Sequence, residues 1–237
     1  MNDEYNYALQ WDNSAKYFYD NGYYDWMAER IDSYNSVLEI GCGTGYSTLA
    51  LVRKGFKVIA VDKNQECLNK AKSLLAKMGY TDKQVVFIKG DVAQDSFRSE
   101  LVNEYDFNVV VCWNIGSYWN KQMIQSYIPY MMEYGLTGEQ IKANPESSYS
   151  ELIIWNVCRI AKAKGVTAHI IDRSSEEIND KNDPYYCTLK DEFAFSSILY
   201  NNKAANSLSN GGRILSTNGI VNADHILPIV FVSILLE

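Results

Sequence analysis

The stretch "VLEIGCGTGYST", from Val37 to Thr48, constrains this chain more than any other. A short apolar run enters it and a helix-like pattern leaves it. Between them glycine stands at alternate positions, Gly41, Gly43 and Gly45. Glycine loses more backbone freedom on folding than any other residue, so three in five positions imply left-handed turns or something bulky against the backbone. The order is strand, side-chain-free loop, helix.

Two familiar uses of such a loop do not fit. A dinucleotide site wants its third glycine three residues after the second, for tight helix packing. That position is Tyr46. A phosphate loop needs a Lys-Ser or Lys-Thr pair, and none follows. What remains is acid-x-Gly-x-Gly-x-Gly, with Glu39 two residues before the first glycine. The bare backbone admits a flat or bulky ligand, and the acid suits one carrying an amino group. The ligand reads as an amino-acid nucleoside rather than a dinucleotide.

The rest of the chain alternates. "SVLEI", "KVIAVD", "QVVFIKGD", "FNVVVCWN" and "VTAHIID" read as buried strands, apolar nearly throughout. Residues 46–54 read as a helix stopped by Gly55. "NQECLNKAKSLLAKMGY" carries a helical apolar stripe that ends at Gly79. Residues 119–164 look helical, broken at Gly135, Gly138 and Pro145. Residues 173–190 read as a polar loop, and "DEFAFSSILYNNKAANSL" as a helix. "GRILSTNG" and "ILPIVFVSILLE" read as two closing strands. Strands alternating with helices imply an α/β fold, a doubly wound and mostly parallel sheet. Residues 1–35, rich in aromatics, are expected as an N-terminal helical lid, and residues 36–237 as the main domain.

In such a sheet, ligands bind beyond the carboxyl ends of the strands. Those ends carry the glycine loop, Asp62, Asp91, Trp113 with Asn114, and Asp172 with Arg173. Two carboxylates at successive strand ends suit hydroxyl and amine donors, such as a ribose and an exocyclic amine. Taken alone, Asp62 fits helix capping as well as it fits ribose binding. His169, inside a strand run, reads as a satisfied core residue.

This set of residues resembles the class I S-adenosylmethionine-dependent methyltransferases over roughly residues 36–115. Glu39 with Gly41, Cys42, Gly43, Thr44 and Gly45 matches that family's cofactor loop. Asp62, 21 residues beyond Gly41, matches the acid that holds the ribose hydroxyls, with Lys63 beside it. Asp91, in "KGD" and followed by Val92, matches the acid that meets the adenine amine. "YDFNVVVCWN", ending at Trp113, matches the fourth strand. The resemblance implies S-adenosyl-L-methionine as cofactor. It also implies a seven-stranded Rossmann-like sheet whose last strand is antiparallel and inserted.

The acceptor is less constrained. Asn114 is followed by Ile115 and Gly116, not the Pro-Pro-aromatic run of enzymes that methylate planar amino groups. Three segments can cover the methyl group: residues 1–30, the helical insertion at 114–150, and residues 173–190. Trp11, Tyr17, Tyr19 and Tyr118 are the aromatic candidates for contact with the acceptor. Arg173 is the candidate to hold an acceptor carboxylate, and His225 and Asn114 to assist at the reacting end. The expected reaction is methyl transfer to an oxygen or nitrogen of a small organic molecule or peptide, a carboxylate among the options. The alternative is an inactive cofactor-binding protein acting through its tyrosine-rich surface, with 18 tyrosines in 237 residues.

Composition bounds the rest. A net charge of −7 argues against a nucleic-acid face. No apolar run reaches 18 residues, and "MNDEYNYALQ" is no secretory leader, so no membrane span is expected. The five cysteines lack metal-ligand spacing and read as reduced thiols in a cytoplasmic protein, with no metal site.

Overall fold

The computed structural model describes residues 3–113, 121–208, 216–217, 220–221 and 226–237. Two N-terminal helices, α1 (Asp3–Asp20) and α2 (Tyr23–Glu29), precede the alternating body. That body runs β1 (Ser36–Ile40), α3 (Tyr46–Arg53), β2 (Lys57–Asp62), α4 (Gln65–Lys77), β3 (Val85–Lys89), α5 (Asp95–Glu104) and β4 (Val109–Trp113). The insertion after β4 contributes α6 (Lys121–Tyr134), α7 (Gly138–Ala143) and α8 (Pro145–Lys164). β5 (Thr167–Ser174), α9 (Pro184–Glu192) and β6 (Ile198–Ser207) follow. A two-residue ladder, β7 (Ser216–Thr217) with β8 (Ile220–Val221), precedes β9 (Leu227–Leu236).

The main sheet has seven strands in the order β3-β2-β1-β4-β5-β9-β6. β3 through β5 are parallel neighbours, and β9 lies antiparallel between β5 and β6. This is the doubly wound sheet with an inserted antiparallel strand that the sequence led us to expect.

Side-chain alternation along the strands sorts the core onto two faces. Leu38, Ile40, Val61, Val110 and Ile170 face α5, α6, α8 and α9. Val37, Ala60, Val111, Trp113 and Phe231 face α1 to α4. The N-terminal helices are part of that second core, since Phe18, Met27 and Ile31 are fully buried in it. Alternation also aims the functional residues. Glu39 and Asp62 sit on the α3/α4 face, and Lys63 turns to the α6/α8 face.

Three expectations for secondary structure are corrected. The segment from Asp191 to Leu208 was expected to be helical, but Ile198–Ser207 is a strand, paired with β9 through ten residues. Its Asn, Lys and Ala content suits a polar edge, and the apolar β9 beside it overrides local propensity. Consequently β6 is the strand that pairs with β9 at the sheet edge; of "GRILSTNG" only Ser216–Thr217 is among the described residues, and it pairs with Ile220–Val221. The 173–190 loop contains the start of α9, with Pro184 in its first turn and Asp183 capping it through Tyr185 N and Tyr186 N. Helix α5 was not anticipated.

Candidate functional site

The three glycines are needed for three different reasons. A Cβ on Gly41 would meet no atom within 4 Å, so this residue opens the loop toward empty space. A Cβ on Gly43 would lie 2.4 Å from Trp11 Nε1, so α1 can cross the loop only because the side chain is missing. A Cβ on Gly45 would lie 2.8 Å from Ala71 Cα and Cβ, so this glycine lets α4 pack against the loop. All three have positive φ, at 78°, 53° and 91°.

Asp62, at the end of β2, ties this loop to the sheet. Its Oδ2 accepts from Gly43 N at 2.8 Å and its Oδ1 from Asn64 N at 2.8 Å. Burial pushes its carboxyl up, and the two amides oppose that push. Asn64 caps α4 through Glu66 N and Cys67 N, and donates to Glu4 O at 3.1 Å. With the Lys70–Asp12 ion pair at 3.1 Å, that bond holds α1 across α4.

At the end of β3, a Cβ on Gly90 would lie 2.0 Å from Phe97 Cζ of α5, so the tip of that ring packs against bare backbone. Asp91 Oδ1 accepts from Ala93 N at 3.0 Å, and its Oδ2 accepts from the Tyr127 hydroxyl of α6. Val92 lends its carbonyl to the buried Arg98. Lys63 Nζ lies 4.1 Å from the centre of the Tyr149 ring and 4.9 Å from that of Tyr127. Burial lowers its pKa to about 8, against the pull of Asp91 and Asp62.

These residues enclose one pocket of about 620 Å³, counting the solvent at its mouth. Gly41, Gly43 and Ile40 line it from the loop side, and Asp62, Lys63 and Asn64 from β2. Gly90, Asp91 and Val92 line it from β3. Tyr7 and Trp11 of α1, and Tyr149 and Ile153 of α8, form the cover.

Glu39 and Cys42 are placed beneath the loop, away from that lining. Glu39 is 1% exposed and accepts from Ser47 Oγ at 2.5 Å and Thr48 Oγ1 at 2.6 Å. Burial raises its pKa to about 7, opposed by those two hydroxyls. Cys42 is buried, and its thiol is pushed well up by burial. Trp113 is also buried and donates from Nε1 to His169 Nδ1 at 2.9 Å. An indole nitrogen only donates, so Nδ1 is the bare nitrogen and His169 Nε2–H donates to Ser233 Oγ at 2.9 Å. His169 is thus a satisfied core residue, as its position in a strand suggested.

The aromatic candidates of α1 separate. Trp11 reaches the pocket. Tyr19 faces α3, where its hydroxyl accepts from Arg53 at 2.5 Å and its ring lies 5.6 Å from that of Tyr46. Tyr17 packs edge-on against Phe18. Asp172 accepts from the Tyr186 hydroxyl at 2.9 Å, on the α9 face. Arg173 points to the opposite face, near the buried Tyr24. That phenol is pushed up first by burial, then by Glu39, with Arg173 opposing. Asn114, Tyr118 and His225 lie outside the described residues. No group of three or more His, Cys, Asp or Glu able to hold a metal occurs among the described residues.

Residues 37–133 match the family model described as a methyltransferase domain. Over those residues the chain is similar to methyltransferase domains. Two protein-L-isoaspartate O-methyltransferases are similar to it over short stretches. The one from Christiangramia forsetii is 43% identical over 54 residues, which is 23% of this chain and 25% of that protein. The one from Methanococcus aeolicus is 36% identical over 66 residues, 27% of this chain and 31% of that protein. The chain thus matches between a quarter and a third of the length of these relatives. The solved structure of EvdMO1 overlays with a TM-score of 0.50 at 13% identity, covering 94% of this chain and 39% of that one, a likeness of fold.

Tyr7, Asn64, Tyr149 and Ile153 were missed in the sequence. Asn64 had a local signal, two residues after Asp62 and directly before a helical stripe. The other three reach the pocket only through the packing of α1 and α8.

Proposed function

We propose that this chain transfers a methyl group from S-adenosyl-L-methionine to an oxygen or nitrogen of a small organic molecule or peptide, and that the acceptor group is a carboxylate. The observation that carries the reading is the single pocket bounded by bare backbone at Gly41 and Gly43 and by the carboxylates of Asp62 and Asp91. The cofactor's chemistry fits this donor and acceptor set. The open space above Gly41 is where a bulky ligand can rest on the backbone. Asp62 and Asp91 retain lone pairs beyond their backbone contacts, enough to accept from ribose hydroxyls and an adenine amine.

The cofactor, when bound, supplies an electrophilic methyl carbon. The chain's own share is then placement and exclusion of water. Trp11 and Tyr7 cover the loop, held by the α1–α4 tethers. Arg173 leaves β5 on the face shared with Glu39 and Tyr24, where a guanidinium can grip a carboxylate with two parallel hydrogen bonds. A carboxylate is already deprotonated at neutral pH, so it requires orientation and not a base. The two relatives named for an oxygen of protein L-isoaspartate support an oxygen acceptor of this kind.

The test is transfer of labelled methyl from the cofactor to a panel of carboxylates, isoaspartyl peptides, phenols and amines. Label that leaves as methanol in mild alkali marks a methyl ester and supports the reading. Alkali-stable label on amines or phenols removes the carboxylate. Cofactor binding with no transfer to any acceptor favours the inactive binding protein.

A further inference from the structure

The most unusual feature of the pocket is what stands behind Asp91. Its Oδ2 accepts from the hydroxyl of Tyr127, 36 residues away on α6. Tyr127 is buried and is not among the residues that line the pocket, whereas Asp91 is. The tyrosine therefore reaches the carboxylate from outside the ligand space. Asp91 Oδ1 is fixed separately by Ala93 N at 3.0 Å. Each oxygen has one protein donor and at least one further lone pair, and the pocket is the side left open to it.

The ring of Tyr127 is itself held. It meets the Tyr149 ring edge-on, with centroids 5.2 Å apart. Lys63 Nζ rests against both rings and joins them to the end of β2. The three residues come from just past β2, from α6 and from α8; they pack on one another, and Tyr127 carries that packing to the Asp91 carboxylate. A short side chain at a strand end otherwise has free rotation about its single bonds, and ordering it in each binding event costs affinity.

We propose that Tyr127 is a positioning residue that sets the purine specificity of the cofactor site. It locks the Asp91 carboxylate so that its free lone pairs meet the exocyclic amine of an adenine, and repel the carbonyl oxygen that a hypoxanthine presents at the same place. The proposal rests on the cofactor reading given above. It adds that discrimination between a 6-amino and a 6-oxo purine depends on an insertion helix and not only on the strand-end acid.

The test compares S-adenosylhomocysteine with S-inosylhomocysteine by calorimetry on the wild type and on Tyr127→Phe, which keeps the ring and removes only the hydroxyl. Wild type should prefer the adenosyl compound by about tenfold or more, the scale of a hydrogen bond to a charged acceptor. In Tyr127→Phe that ratio should fall several-fold while the affinity for the inosyl compound stays the same or rises, which also shows the site to be folded. An unchanged ratio overturns the proposal. So does an equal loss of both affinities, which would make Tyr127 a wall. Wild type that binds neither compound overturns the cofactor reading itself, and is told apart because it appears before any substitution.

Discussion

The indole nitrogen of Trp11 stands 2.4 Å from the place a Cβ would occupy on residue 43. Helix α1 and the glycine loop are therefore fitted to each other, and the absent side chain is what allows the aromatic cover to close. Phe18, 7 residues further along the same helix, is buried against Phe231 with ring centroids 5.1 Å apart. The cover is thus anchored in the core at one end and rests on the loop at the other.

Gly43→Ala should accordingly destabilise the protein and weaken cofactor binding together. Part of the cost is the clash with Trp11, and part is left-handed backbone strain of about 1–2 kcal/mol. Adding Trp11→Ala should remove only the first part. A double-mutant cycle by denaturant unfolding checks this, and strictly additive effects would contradict the contact.

Stability should carry two opposite pH dependences that partly cancel. Glu39 has a folded pKa raised to about 7 by burial, so the folded state holds its proton more tightly than the unfolded chain. Its contribution is full below the ordinary value of 4.5 and is lost as pH rises through 7. His169 has its pKa lowered to about 3 by burial, with Arg30 adding. Its contribution is full above 6.5 and is lost as pH falls toward 3. Between the two ordinary values the slopes oppose each other, each limited to about 1.4 kcal/mol per pH unit. Glu39→Gln should unmask stability that rises with pH, and His169→Asn stability that falls. Denaturant midpoints across that range decide, and parallel profiles for both variants would contradict the assignments.

Trp113→Phe should cost about 1–3 kcal/mol, because it strips the buried Nδ1 of His169 of its donor. The effect should appear in thermal unfolding with little change in cofactor affinity, since Trp113 is placed under the site and not in its lining. A large loss of affinity at unchanged stability would move Trp113 into the site.

Much of the site was legible because it is written locally. The glycine loop, Asp62 and Asp91 each sit where a strand ends, and strand ends were set by short apolar runs and the turns that follow. The unread parts depend on distant packing. Tyr7, Tyr127 and Tyr149 had no neighbour in sequence that marked them among the other tyrosines, and only the docking of α1, α6 and α8 selects them. β6 was unread for a related reason, since its ten residues take their extended form from pairing with β9. Ser47 and Thr48 were in plain view 8 and 9 residues after Glu39, yet only the strand-turn-helix geometry brings their hydroxyls to its carboxylate.

Arg173→Ala should cut kcat/KM for the true acceptor about tenfold, or about 1.4 kcal/mol, chiefly through KM. Binding of S-adenosylhomocysteine should be unaffected, because the side chain lies on the Tyr24 side and not among the pocket residues. Normal kinetics in this variant would remove Arg173 from the acceptor site.

The central claim is that the pocket between the glycine loop and the ends of β2 and β3 holds the methyl donor. Calorimetric titration of S-adenosylhomocysteine into wild type and Asp62→Ala tests it most directly. The account expects saturable one-to-one binding to wild type, weakened by about 1.5–3 kcal/mol in the variant, the scale of hydrogen bonds to a charged acceptor. Absence of binding to wild type, or equal affinity in the two proteins, would contradict it.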